Sequence, residues 1–250
     1  MQAQPQPWDA AARNIALKIY RLAHQPRVDL VPIALSEVAW RDRRFLQRTK
    51  RILEGLGFRD ISCFRMDVGA GQAADGLRYR LLTTQDGAIR ATVAVVRAKL
   101  KVSLLQRLHL VLIGKIPQPR QILEFTTTLS SGGVIDTSNS GQRNPFTPPA
   151  HFDTVRMPEN TPPHAQLAAH RRRVESRLAR EPGISVVNVT DFATYDRVRD
   201  AERETRNRYR QSIGYVTDEE LRALTKEHYA QVRDGVMAEL TRLQREDDKK

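Results

Sequence analysis

VGAGQAADG, residues 68–76, comes after an alternating run and satisfies Gly-x-Gly-x-x-Gly/Ala by letter at Gly69, Gly71 and Ala74. Two folds compete for this stretch. In a dinucleotide-binding unit such glycines turn a strand into a helix whose first amides face a pyrophosphate, and the next strand is parallel. In an antiparallel sheet the same residues only reverse the chain. Here Asp75-Gly76 leads into a second alternating run, Leu77, Tyr79, Leu81 and Thr83 against Arg78 and Arg80. No helical period opens after Ala74, and no acidic residue is placed for a ribose on a second parallel strand. The stretch therefore reads as an interstrand loop, and no cofactor is expected.

The pattern extends outward from that loop. Before it, Phe64, Met66 and Val68 alternate with Arg65 and Asp67; after it, Gln85-Asp86-Gly87 separates the second run from Ile89, Ala91, Val93 and Val95. Asp-Gly between two such runs marks a hairpin, because the turn needs a positive φ that glycine adopts without steric cost. The last strand is expected to continue through Arg97, Lys99 and Lys101 on one face and Ala98, Leu100 and Val102 on the other. A second hairpin is expected from Ile122–Leu129 and Val134–Ser138, joined at Ser130–Gly133. The middle of the chain thus predicts an antiparallel sheet of about four to six strands.

Helical periods flank the sheet. Ala12, Ile15, Ala16, Ile19, Leu22 and Ala23 lay one stripe between Trp8 and His24. A helix over Ser36–Leu56 is expected to turn Phe45, Thr49, Ile52, Leu53 and Leu56 inward, with Ser36 as its cap and Gly57 as its stop. The prolines Pro145, Pro148, Pro149, Pro158, Pro162 and Pro163 make the next part a connection with at most a short strand near Phe152–Met157. Thr161–His164 opens a helix that buries Leu167, Val174 and Leu178 and ends at Pro182-Gly183. A short buried strand, Ile184–Val189, and a helix from Thr190 or Asp191 come next. Thr217-Asp-Glu-Glu220 is a capping box with a Val216/Leu221 staple, and Leu221, Leu224, His228, Val232, Val236, Leu240 and Leu243 predict one long final helix. The expected fold class is α+β, with N-terminal helices, a central antiparallel sheet and a C-terminal helical region. The expected division is an α+β domain over 1–140, a proline-rich connection over 141–163, and a mostly helical region over 164–250.

Composition bears on partners more than on fold. The 250 residues carry 41 Lys and Arg against 29 Asp and Glu, a net charge of +12, mostly as arginine. Such a surface attracts anionic partners: a nucleic acid, an acidic protein or a membrane surface. One group is Arg41, Arg43, Arg44, Arg48 and Arg51; the other is Arg171, Arg172, Arg173 and Arg177, opposed only by Glu175 and Glu181. These arginines are the candidate anion-binding residues. A third run, Arg197, Arg199, Arg203, Arg206, Arg208 and Arg210, is interleaved with Asp196, Asp200, Glu202 and Glu204 and is expected to be a solvated, ion-paired helix face.

No catalytic residue and no metal site is assigned. Cys63 is the single cysteine, so there is no intrachain disulfide or multi-cysteine zinc site, and the chain suits a reducing compartment. His164 and His170 are six apart rather than four, so they do not form a helical metal pair, and a capping or solvent role is expected for both. Leu104–Ile113 is interrupted by polar residues and far shorter than the roughly 20 residues that span a bilayer. Met1–Trp8 has no signal-peptide pattern, and a cytoplasmic or membrane-peripheral location is expected.

EFTTTLSSGGVIDTSNS, from Glu124, the proline-rich connection after it and LAAHRRRV, ending at Val174, together resemble a pattern found in uncharacterised bacterial proteins, some of them membrane-anchored. The resemblance covers Glu124–Arg173. Apolar membrane segments precede the hairpin in that family, and this chain shows none. The family has no assigned activity to carry onto Thr137, Asn139 or His170. The leading expectation is a non-enzymatic binding or scaffold protein with basic patches, and the final helix is a further candidate surface for a protein partner. Nucleic-acid binding through the Arg-rich helices is the alternative, and an enzyme with a dispersed site is the third.

Overall fold

Alternating side chains between residues 58 and 138 build a sheet, because extended chain sends successive side chains to opposite faces. The structure, a computed structural model, describes residues 8–67, 78–96, 120–141 and 146–247. Its strands lie side by side in chain order: β1 Asp29–Pro32, β2 Phe58–Asp67, β3 Arg78–Thr84, β4 Arg90–Val96, β5 Arg120–Thr128, β6 Val134–Ser138 and β7 Phe152–Arg156. Every neighbouring pair is antiparallel except β6 and β7, which are parallel. The fold is therefore of the α+β class. The strand after the glycines returns antiparallel beside β2, with Phe64 opposite Tyr79, whereas a dinucleotide fold needs a parallel neighbour there. Gly69, Gly71 and Ala74 themselves lie outside the described residues, as do Arg97–Val102 and Leu104–Ile113.

The chain divides into two compact units that interleave along the sequence. The sheet unit comprises Val28–Gln142 and His151–Val198, and the helical unit comprises Met1–Arg27, Arg143–Ala150 and Arg199–Lys250.

In the sheet unit, register puts Leu82, Ala91, Val93, Leu123, Phe125 and Thr137 on one face. Two helices cover it: α2, Trp40–Gly55, through Leu46 and Leu53, and α3, Pro163–Arg180, through Leu167 and Val174. A first helix, α1, Asp9–Ala23, belongs to the other unit. The opposite face buries Phe64 and Leu81 under Val189, Phe192 and Tyr195. Three local expectations change here. A 3-10 turn, Leu35–Glu37, precedes α2, so Ser36 is not its cap, and Ile52 is 40% exposed rather than inward. Residues 184–189 form no strand but a single bridge, Leu129 to Val186. Their backbone bonds go instead to the ends of other strands: the Ser130 amide donates to Ser185 O, the Val187 amide to Thr128 O and the Val189 amide to Gly87 O.

The helical unit packs α1 on the chain's last helix. Ala12, Ala16, Ile19 and Ala23 meet Val232, Val236 and Leu240 in one core. The helix that begins after the Asp191 cap, α4, Phe192–Ser212, enters this unit at Arg199. The expected single final helix is two, α5 Asp218–Thr225 and α6 Tyr229–Asp247, because Lys226 sits at φ 50 and breaks the period. Leu224 and His228 consequently drop out of the buried stripe and lie exposed. The capping box is present as expected: Thr217 Oγ1 accepts from the Glu220 amide, and Glu220 accepts from the Thr217 amide. Glu220 also receives the buried Arg210 guanidinium at 2.7 Å and the Thr147 amide, which ties residues 146–150 into this unit.

Candidate functional site

An apolar stripe buries one side of each sheet-covering helix, and the charged residues are left on the other side. Because α2 lies over β2–β4 and α3 over β5–β6 on the same face of the sheet, the two outer sides look to solvent in the same direction. Arg41, Arg44, Arg48 and Arg51 of α2 and Arg171 and Arg172 of α3 are all exposed there. Among the described residues Arg41, Arg48, Arg51 and Arg172 make no hydrogen bond or ion pair. The Arg44 guanidinium lies 4.9 Å from the Trp40 ring centre, and Trp40 is 62% exposed. Acidic relief on this side is small: Asp42 is buried, Glu54 is paired to Lys50 at 3.1 Å, and α3 exposes one carboxylate, Glu175, a turn beyond Arg171. Arg171 stands near Asp86, whose carboxyl is held below its ordinary range by the Thr84 hydroxyl and the Ala88 amide first and by that charge in addition.

The remaining candidates are spent inside the fold. Arg43 donates to the carbonyls of Ser36 and Val38, both at 3.2 Å. Arg177 pairs with Glu181 at 2.6 Å. Arg173 turns toward the sheet, where it donates to the Asp136 carbonyl at 2.6 Å, to Thr137 Oγ1, and to the carbonyl and carboxylate of Asp153 at 2.6 and 2.7 Å. In the third run, Arg203 pairs with Asp200 at 2.8 Å as expected, but Arg210 is buried with Glu220 rather than solvated.

Arg173 belongs to a buried centre built on His170, which is fully buried rather than capping or solvated. Its two nitrogens face threonines of adjacent strands, Nε2 to Thr127 Oγ1 and Nδ1 to Thr137 Oγ1, each at 3.0 Å. The Thr127 hydroxyl donates to the Ala88 carbonyl at 3.1 Å, so it accepts from Nε2, which carries the ring proton. Burial keeps the ring neutral, so Nδ1 accepts from the Thr137 hydroxyl, which itself accepts from the Arg173 guanidinium. Every donor in this chain has an acceptor, and the ring is neutral. Burial first, then the Arg173 and Arg90 charges, lower the His170 pKa to about 3. With both nitrogens committed and no exposed edge, this imidazole pins α3 to β5 and β6. The signal in the sequence was the three-residue spacing of His170 and Arg173, which puts both on one side of a helix; only the sheet register shows that Thr127 and Thr137 meet them.

Other chemistry is sparse. Burial pushes the Cys63 thiol up, away from thiolate. Among the described residues no cluster of His, Cys, Asp and Glu could hold a metal ion, and no helix is long and apolar enough to cross a membrane. Comparison with protein-family models, with curated proteins and with solved structures finds no match to this chain.

Proposed function

We propose that the protein is a non-enzymatic binding protein whose sheet unit engages nucleic acid through the outer sides of α2 and α3. One observation carries this: exposed guanidiniums from two helices far apart in sequence share one side of the sheet, with little acid among them. Arginines spaced along two rods suit a row of phosphates, which they bind with release of condensed counterions. Trp40, exposed at the start of α2 with Arg44 beside it, supplies a π-face on which a base can stack. The polar centre at His170 supports the same reading, because its hydrogen-bonding capacity is used to hold α3 in place.

The test is fluorescence anisotropy of labelled single-stranded RNA, single-stranded DNA and duplex DNA over a range of salt. Affinity is expected to fall steeply as salt rises. Reversing Arg171 and Arg172 to Glu removes about two phosphate contacts and should flatten the salt slope on duplex by about 2. Absence of binding at low salt, or retention on phosphatidylserine vesicles but on none of the nucleic acids, would overturn the proposal.

A further inference from the structure

The helical unit contains a groove that takes no part in the basic face. One wall is α1 with the preceding Trp8: Ile15 is half-buried against the α1/α6 core, and Trp8 and Leu22 remain 37% and 42% exposed. The other wall is Leu224 and Val232, with Phe146 adding a third side. The cavity between them measures about 430 Å³, inside the roughly 300–1,000 Å³ range of small-molecule sites. From Trp8 to Leu22 the groove runs along α1 for roughly 21 Å at the helical rise. It is long and apolar.

Among the described residues its charged lining is Lys18; His228 also borders it, and no carboxylate does. Lys18 makes no ion pair among the described residues. The His228 ring lies 5.1 Å from the Trp8 ring, centre to centre, and 3.6 Å from the exposed Glu227 carboxylate outside the lining. An occupant that matches an elongated apolar slot with a cationic border has an unbranched hydrocarbon chain and an anionic head. We infer that this groove binds an aliphatic carboxylate of the fatty-acid class, with the chain along α1 and the carboxylate toward Lys18. Affinity comes mainly from the chain, since each buried methylene contributes a near-constant increment, while an exposed ammonium adds little beyond orientation.

Trp8 reports on the groove directly. In the full chain carrying Trp40→Phe, Trp8 is the sole indole, and its fluorescence is monitored during titration with octanoate, decanoate and dodecanoate below their micellar concentrations. A saturable change is expected, weakening roughly four-fold for each methylene removed. Dodecanol should bind a few-fold more weakly than dodecanoate, and Lys18→Glu should reverse that order. Leu224 is partly exposed, so Leu224→Glu keeps the core and should abolish the response by placing a carboxylate in the slot. A flat Trp8 signal, equal affinity across the three chain lengths, or dodecanol binding as tightly as dodecanoate would overturn the inference. So would a dimer in sedimentation that Leu224→Glu splits, which would assign the groove to a second copy of the chain. None of these outcomes depends on nucleic-acid binding.

Discussion

At position 170 an ionisable ring is kept neutral by its neighbours, and that has a cost that depends on pH. In unfolded chain an imidazole titrates near 6.5; folded, His170 titrates at about 3. Below pH 6.5 the unfolded state therefore takes up a proton that the folded state refuses, so stability falls as pH drops from 6.5 toward 3. The slope from this residue is about 1.4 kcal/mol per pH unit. His170→Gln removes the titration and breaks the chain of hydroxyls. It is expected to cost roughly 2–4 kcal/mol at pH 7, from lost hydrogen bonds and packing. Urea denaturation of both proteins from pH 7 to pH 4 should show the gap between them narrowing as the solution becomes more acid. Parallel curves would mean that His170 titrates normally in the fold.

Elements meet here by small-residue contact and by breaks in period. α1 and α6 approach closely at Gly235: a Cβ built there would stand 2.9 Å from the Ala12 methyl. That separation is too short for two carbons, so Gly235 sets how near the helices lie and how well Ala16, Val236 and Leu240 pack between them. Gly235→Val should force them apart and destabilise the helical unit by about 1–3 kcal/mol, as overpacking does. Hydrogen exchange would place the lost protection in α1 and α6; loss of protection in β3 and β4 instead would contradict the placement. The hairpin between β3 and β4 uses glycine for another reason. Gly87 lies at φ 78 and its added Cβ would meet the Val189 backbone, so the turn and the 184–189 segment are packed on one another.

Across the molecule, charge is distributed unequally in kind rather than in amount. Arginines of the helical unit are largely drawn into pairs, such as Arg242 with Glu239 and Arg233 with Asp218, whereas Arg41, Arg48, Arg51 and Arg172 on α2 and α3 stand toward solvent on one side. Net charge alone predicts that any arginine matters equally to a polyanion; a binding face predicts that position decides. Reversing Arg44 and Arg48 to Glu should weaken nucleic-acid binding and flatten its salt slope as much as reversing Arg171 and Arg172 does. The same change in net charge at Arg208 and Arg245, both exposed in the helical unit, should leave the slope nearly unaltered. Equal losses from all three pairs would reduce the face to general electrostatics.

Local pattern by itself determined most of the element types: the period-2 runs became β2 to β6, the Asp86-Gly87 turn and the Thr217/Glu220 cap formed as their chemistry requires, and the glycine stretch at 68–76 precedes an antiparallel strand, whereas the strand expected at 184–189 did not form. These depend on neighbours a few residues apart, which sequence displays directly. Tertiary structure alone decided which arginines face solvent and where the polar centre lies. Arg172 and Arg173 are adjacent in sequence, yet one faces water and the other Asp153, because a helix turns successive side chains by about 100° and only the sheet beneath it says which direction is inward. His170 meets Thr127 and Thr137 through strand register, and Arg210 meets Glu220 across a helix break. Such contacts join residues distant along the chain, and their free energy depends on burial, which no local spacing encodes.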